Sequence, residues 1–432
     1  MKIIHVLHGF LPDHTGGTER TVAALARAML AAGHEVTVVC GSLEVGSTDQ
    51  VDEYDHDGIR VLRLHRDDLY FENWNKSYHP GVSSTLDRIF REARPDVVHV
   101  HHWLRLTSDI ARLAREAGAR VVVTAHDYYP VLARVVRRAG DDSVDPPEPV
   151  RWMSALEGAE EFTLHRRDFA DELRAAHVRL APSRAHAEGL AELAHAELGE
   201  IGVTPPPLLR IPERLQKAPE AGGKRLVTWG SIYPDKGLEI IMDAMRAAGG
   251  DWRLQVLGEA HDPGFDAEVR NFAAGLDVTF SGAFDVDDLA GIEADYAVLP
   301  SICEESYGLV MDEARALGLP VIASDLPAYR EHCQETACAF IVPGDTADWT
   351  MLLLDPTRMQ ALVRPDPVDL QTPDAAAADL IAYYEGVAGS RWGRDAELER
   401  DRARMLFRRG ERRLYATLQH EEPPLPPDEF LS

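Results

Sequence analysis

At 432 residues the chain is too long for one ordinary core, and its 45% hydrophobic and 27% charged content excludes a disordered or fibrous protein. Acidic residues outnumber basic ones 72 to 45, for a formal charge of -27. Such a surface repels phosphate backbones, so a basic nucleic-acid face is excluded and no nucleic-acid partner is expected.

Met1 to His8 is apolar but carries two histidines and no small-residue cleavage site, so Ile3 to Leu7 is read as a strand and not a leader. Thr15-Gly16-Gly17 is a turn. From Thr18 a helix is predicted, with Val22, Leu25, Ala26 and Met29 at i, i+3, i+4 and i+7; Gly33 ends it. Further strands are predicted at Val36 to Val39, Gly58 to Leu62, Asp96 to Val100, Arg120 to Thr124 and Val178 to Ala181. The stiff segment Thr204-Pro205-Pro206-Pro207 breaks this pattern, which then restarts. Strands follow at Leu226 to Trp229, Leu254 to Leu257, Val278 to Phe280, Ala297 to Leu299 and Val321 to Ala323. Leu238, Ile241, Met242 and Met245 mark a helix after the loop Gly230 to Gly237.

Strands separated by helices imply parallel sheets, so the expected class is α/β: two Rossmann-like, doubly wound domains facing a cleft. The boundaries read as 1–204 and 205–390, with Asp374 to Glu385 a helix in the second unit. A C-terminal helix within 391–420 would pack back toward the first domain, and the Glu- and Pro-rich residues 421–432 would form a mobile tail. No run approaches the roughly 20 apolar residues of a membrane helix. Cys40, Cys303, Cys333 and Cys338 are too few and scattered for a disulfide framework. Four reduced thiols in a cytoplasmic protein are expected, and peripheral membrane contact stays open.

Two segments carry chemistry. Gly16-Gly17 puts bare backbone at a helix N-terminus, where free N–H groups and the helix dipole favour phosphate; plain turn chemistry explains it equally well. The second is Glu304-Glu305-Ser306-Tyr307-Gly308-Leu309-Val310-Met311-Asp312-Glu313, which follows a strand and opens a helix that Gly318 closes. Gly308 exposes N–H groups suited to a pyrophosphate, while Glu305 and Glu313 could accept hydrogen bonds from sugar and ribose hydroxyls. A solvated helix face is the plain alternative for Glu313.

Over residues 1 to 345 the chain resembles the retaining, nucleotide-sugar-dependent glycosyltransferases of family four, which have the GT-B fold. The resemblance rests on Gly16-Gly17, on Pro95 to His101, on Thr124-Ala125-His126-Asp127-Tyr128-Tyr129-Pro130 and on Ala181-Pro182-Ser183. It continues through Pro234-Asp235-Lys236-Gly237, Glu305-x7-Glu313 and Gly318 to Asp325. The resemblance implies an acceptor side in the first domain and a nucleoside-diphosphate-sugar donor in the second, with a hydroxyl-bearing acceptor. It implies Glu305, His126 and Lys236 as catalytic residues. Glu305 would hold the donor sugar, His126 would orient it, and Lys236 would neutralise the leaving pyrophosphate without a metal or other cofactor. Gly16, Gly17, Gly308, Leu309 and Val310 would approach phosphate, and Glu313 would hold ribose. A front-face mechanism is implied, with the leaving phosphate deprotonating the acceptor.

One departure stands out. The family places arginine after the glycine that follows the first strand of the second domain, and here that residue is Ser231, which cannot supply the charge. A catalytically silent homologue that partners another glycosyltransferase is therefore the competing function; a sugar-nucleotide epimerase is disfavoured by the two glutamates. Asp55-His56-Asp57 before Gly58 reads as turn chemistry. His99 and His101 alternate with His102, so no metal is expected there. Tyr70, Trp74 and Tyr78, in an aromatic segment, are acceptor candidates or caps on the first core.

Overall fold

The computed structural model describes residues 1–67, 78–132, 137–140, 155–194, 198–260, 262–366 and 370–386. The first half forms strands β1 (Lys2–Leu7), β2 (Glu35–Val45), β3 (Val51–His56), β4 (Ile59–Arg66), β5 (Val97–Val100), β6 (Arg120–Thr124), β7 (Val178–Ala181) and β8 (Gly202–Val203). They lie in one sheet in the order β3-β4-β2-β1-β5-β6-β7-β8. The second half supplies β9 (Arg225–Trp229), β10 (Arg253–Leu257), β11 (Asp277–Gly282), β12 (Tyr296–Leu299), β13 (Val321–Ser324) and β14 (Cys338–Ile341), ordered β11-β10-β9-β12-β13-β14. The architecture is thus two α/β units, each with a parallel sheet sandwiched between helices. Continuous apolar runs such as Val97-Val98 and Val121-Val122-Val123 are buried on both faces, as parallel strands require.

The helix Gly17–Ala31 buries the apolar face read from its spacing: Val22, Leu25, Ala26 and Met29 are all sealed. One strand departs from the parallel expectation. β3 pairs antiparallel with β4 across Asp57 and Gly58, whose φ values of 52° and 83° make the tight two-residue hairpin turn. Asp55 Oδ1 accepts from the Gly58 N–H at 3.0 Å, so this acidic triplet closes a turn.

Two expectations are corrected. The helix Pro373–Gly386, grouped by sequence with the second unit, packs on the first: Ala376, Ala377, Leu380 and Tyr384 join the core of β1, β2 and the Gly17–Ala31 helix. Tyr384 is fixed there because its hydroxyl meets His99 Nδ1 at 2.7 Å, while Arg120 donates to its carbonyl. The chain has therefore recrossed before the 391–420 region, which lies outside the described residues together with 421–432. Second, Cys333 and Cys338 are joined as a disulfide, leaving Cys40 and Cys303 as buried thiols. The turn between the Pro327–His332 helix and β14 brings their Cα atoms to 6.2 Å, within bridging range. Among the described residues no helix is long and apolar enough to cross a membrane.

Candidate active site

The second unit gathers its polar side chains where β9 and β12 end. Gly237, at φ 69°, lets the turn Pro234–Lys236 lie against the Pro300 carbonyl, which any Cβ there would strike at 2.1 Å. That close approach brings Lys236 onto the loop after β12. Lys236 Nζ lies 2.6 Å from Glu305 Oε1. The same oxygen accepts from Ser301 at 3.1 Å and from the Tyr329 hydroxyl at 3.2 Å. Glu305 Oε2 has no partner among the described residues. Burial works to lower the Lys236 pKa, but the Glu305 carboxylate outweighs it and holds the ammonium charged well above its usual range.

Gly308 precedes the helix Leu309–Leu317 in the left-handed region, φ 89°, and a Cβ there would meet the Tyr329 ring at 2.7 Å. Glycine thus serves two ends: it opens the helix, with the first N–H groups of Leu309 and Val310 lacking an intrahelical acceptor, and it seats the tyrosine that holds Glu305. A cavity lined by Trp229, Ser231, Lys236, Ser301, Val310 and Tyr329 lies against these groups. Ser231 is exposed at its edge. One helical stretch further on, Glu313 Oε2 accepts from the Trp229 indole N–H at 2.5 Å. Burial raises the Glu313 carboxyl to about 7, against the indole bond that favours its charge.

On the first unit, Gly16 and Gly17 are exposed at the start of their helix, and nothing lies within 4 Å of a Cβ built on Gly17. Glu19 turns back beside Gly16 and pairs with His8, 2.9 Å away. Burial, with His102 and Arg105 nearby, lowers His8 to about 4, so at neutral pH this is an imidazole N–H donating to a carboxylate. His126 follows β6; its Nε2 is 2.9 Å from His101 Nδ1. Burial lowers His126 to about 4 as well, despite the favourable Asp127 charge. Its other nitrogen has no partner among the described residues, and the ring is partly exposed.

The two units are tied beside these groups. Tyr128, two residues past His126, donates its hydroxyl to Glu304 Oε2 at 2.5 Å, and Arg137 approaches the same oxygen at 3.4 Å. Glu304 is the neighbour of Glu305, so this bond aligns the His126 loop with the Glu305 loop. Arg138 pairs with Asp235 at 2.8 Å, next to Lys236. Ser183 donates to the Ser306 carbonyl at 2.7 Å, and Glu331 accepts from the backbone N–H groups of Arg184 and Ala185. The structure thus brings together Lys236, Glu305, Gly308, Leu309, Val310 and Ser231 on one side, with Glu313 nearby and His126 on the opposing loop.

Of the aromatic candidates, Tyr70 and Trp74 lie outside the described residues. Tyr78 is buried, which removes it as an open acceptor platform. Sequence reasoning passed over Tyr128, Glu304, Ser301, Trp229 and Tyr329. Tyr128 and Glu304 stood inside segments already singled out; the other three carry no local signal. Alternation along β5 separates His102, which pairs with Asp127, from His99 and His101. Register places His5, which carries no local signal, beside His99, so that His5, His99 and His101 offer nitrogens within 4.8 Å of one another.

Comparison with known proteins agrees with the two-unit α/β fold. Residues 15–208 match the model of Glycosyltransferase Family 4, and residues 223–355 that of Glycosyl transferases group 1. A D-inositol 3-phosphate glycosyltransferase of Arthrobacter sp. (strain FB24) is 30% identical over 366 residues, 78% of this chain and 81% of that one. A glycogen synthase of Mycobacterium tuberculosis is 27% identical over 350 residues, 76% of this chain and 78% of its own. Among solved structures, sucrose-phosphate synthase from Thermosynechococcus elongatus superposes with a TM-score of 0.58 at 19% identity, covering 96% of this chain and all (100%) of that one. HepE of Anabaena in complex with UDP-glucose gives 0.57 at 16% identity, covering 90% and 99%.

Proposed function

Because the chain belongs to glycosyltransferase family four and has its GT-B fold, we propose that it moves a sugar from a nucleoside-diphosphate-sugar donor to a hydroxyl-bearing acceptor, with retention at the anomeric carbon. The observation that carries this reading is the Glu305 carboxylate. One oxygen is held by Lys236, Ser301 and Tyr329, and the other is left open beside the N-terminus of the Leu309–Leu317 helix.

In this reading the donor lies along the second unit. Its pyrophosphate meets the N–H groups of Leu309 and Val310, exposed by Gly308, with Lys236 and Ser231 beside it and Gly16 and Gly17 across the cleft. Glu313 takes the ribose hydroxyls with the oxygen that Trp229 does not use. Glu305 Oε2 accepts from a donor-sugar hydroxyl, and His126 orients the same sugar from the other side. As the glycosidic bond lengthens, negative charge grows on the leaving phosphate, where the lysine and the helix N-terminus stabilise it; these groups supply the positive charge without a metal. That phosphate then takes the acceptor proton on the face it is leaving, which accounts for retention without a protein nucleophile. The UDP-glucose bound to HepE makes a uridine donor the first to test.

The test is a thermal-shift screen of nucleoside diphosphates and their sugars, followed by donor-consumption assays with and without chelator. A ligand that binds the folded state raises its melting temperature by mass action. Stabilisation by one nucleoside diphosphate and slow hydrolysis of its sugar, unaffected by EDTA, is the expected result. No shift with any of them would sink the reading.

A further inference from the structure

Three imidazoles, the partly exposed His126 and the buried His101 and His5, run inward from the cleft in a single line. His126 Nε2 is 2.9 Å from His101 Nδ1, and His101 Nε2 is 2.9 Å from His5 Nδ1. His101 and His5 are 2% and 0% exposed. The arrangement follows from the sheet: β1 and β5 are adjacent and parallel, His5 lies opposite His99, and His101 projects on the same face two residues on. Burial lowers all three pKa values, so each ring is neutral at pH 7, with one N–H donor and one bare acceptor nitrogen.

A line of neutral imidazoles can be hydrogen-bonded in only two ways, all donating outward or all donating inward. The buried end decides between them. His5 Nε2 is sealed from solvent and has no partner. Inward donation would leave an N–H stranded there, whereas outward donation leaves a bare lone pair; orphaned buried donors are the rarer and costlier case. A metal bridging His5, His99 and His101 would need a nitrogen of His99. Both are occupied, Nδ1 by Tyr384 and Nε2 by Thr124 at 2.7 and 2.8 Å.

We propose that His5 and His101 are positioning residues that lock His126 as the Nδ1–H tautomer, so that it offers the cleft a hydrogen-bond donor. The inference rests on the glycosyl-transfer reading only for its consequence: His126 would donate to an oxygen of the bound sugar and would not act as a base. His5 itself touches no substrate. Its role is to supply the first donor of the line.

Ring nitrogens of the full chain, labelled with 15N-histidine, report the tautomer directly through long-range proton–nitrogen correlation. In wild type His126 is expected to carry its proton on Nδ1. His5→Phe removes the first donor and should give a mixture of tautomers, with kcat for donor turnover lowered about tenfold at unchanged affinity for the nucleoside diphosphate. His5→Asn, whose amide nitrogen stands close to the lost Nδ1, should restore both. A bare Nδ1 in wild type overturns the proposal even if His5→Phe does not fold. So does an unmoved tautomer in folded His5→Phe, or stoichiometric metal lost with that variant. A locked tautomer in a protein that turns over no nucleotide sugar would support the relay and count against the transferase reading.

Discussion

Lys236 Nζ sits 2.6 Å from Glu305 Oε1, so the lysine that the family resemblance assigns to the leaving phosphate is paired with the carboxylate it assigns to the donor sugar. The two are partners before any donor arrives. In the proposed reading a phosphate entering beside Lys236 would share it with Glu305, which would couple the two ends of the donor.

That sharing separates affinity from rate. Glu305→Gln frees the ammonium and should tighten binding of the nucleoside diphosphate while lowering turnover by about two orders of magnitude, since the charged acceptor for the sugar is gone. Lys236→Ala should weaken binding and cost about 2–3 kcal/mol of transition-state stabilisation, comparable to losing one oxyanion donor. Calorimetry with the diphosphate and donor-consumption rates distinguish the two; equal turnover in wild type and Glu305→Gln would remove Glu305 from the site.

Glu313 gives a pH signature. Its carboxyl sits at about 7 in the folded chain, above the ordinary carboxylate value, chiefly through burial. Between pH 5 and 7 the unfolded chain has already lost this proton and the folded chain keeps it, so this group's contribution to stability falls as pH rises and levels off above 7. Buried Glu172, also raised to about 7, acts in the same direction, so the effect is read as a difference from Glu313→Gln. That variant should gain stability relative to wild type from pH 5 to 8. Donor affinity of wild type should rise over pH 6 to 8 as the carboxylate forms, and stay flat in the variant. An intact nucleotide sugar is the ligand to use, because its diphosphate does not titrate there.

Tyr128→Phe removes the hydroxyl that reaches Glu304 at 2.5 Å across the cleft. A hydrogen bond to a charged acceptor contributes about 1.5–3 kcal/mol, so kcat/KM should fall about tenfold or more if the bond is kept during turnover. Small-angle scattering should report a more open chain. An unchanged rate would mean that the domain contact is incidental to the chemistry.

Gly308→Ala places a Cβ 2.7 Å from the Tyr329 ring, at a φ of 89° that alanine disfavours. Overpacking and backbone strain together should lower stability by about 1–3 kcal/mol. Because the displaced Tyr329 no longer holds Glu305, activity should fall further than the loss of folded protein explains. Denaturant unfolding and activity per folded molecule check the two parts separately.

The sequence by itself determined the alternation of strands and helices, the break near Pro205 and the turns that carry Gly16, Lys236 and Glu305. Those features depend on neighbours within one or two helical turns, where apolar period and glycine placement act directly on the backbone. Only the tertiary structure decided who meets whom. Lys236 and Glu305 are 69 residues apart, Trp229 and Glu313 84, Tyr128 and Glu304 176, and His99 and Tyr384 285. Such pairs depend on strand order, on parallel register and on where the chain recrosses between units, and none of these leaves a periodic mark. His5 shows the limit most sharply. In the sequence it is one polar residue in an apolar strand; beside β5 it becomes the buried end of a line of imidazoles reaching His126, because parallel pairing sets it opposite His99.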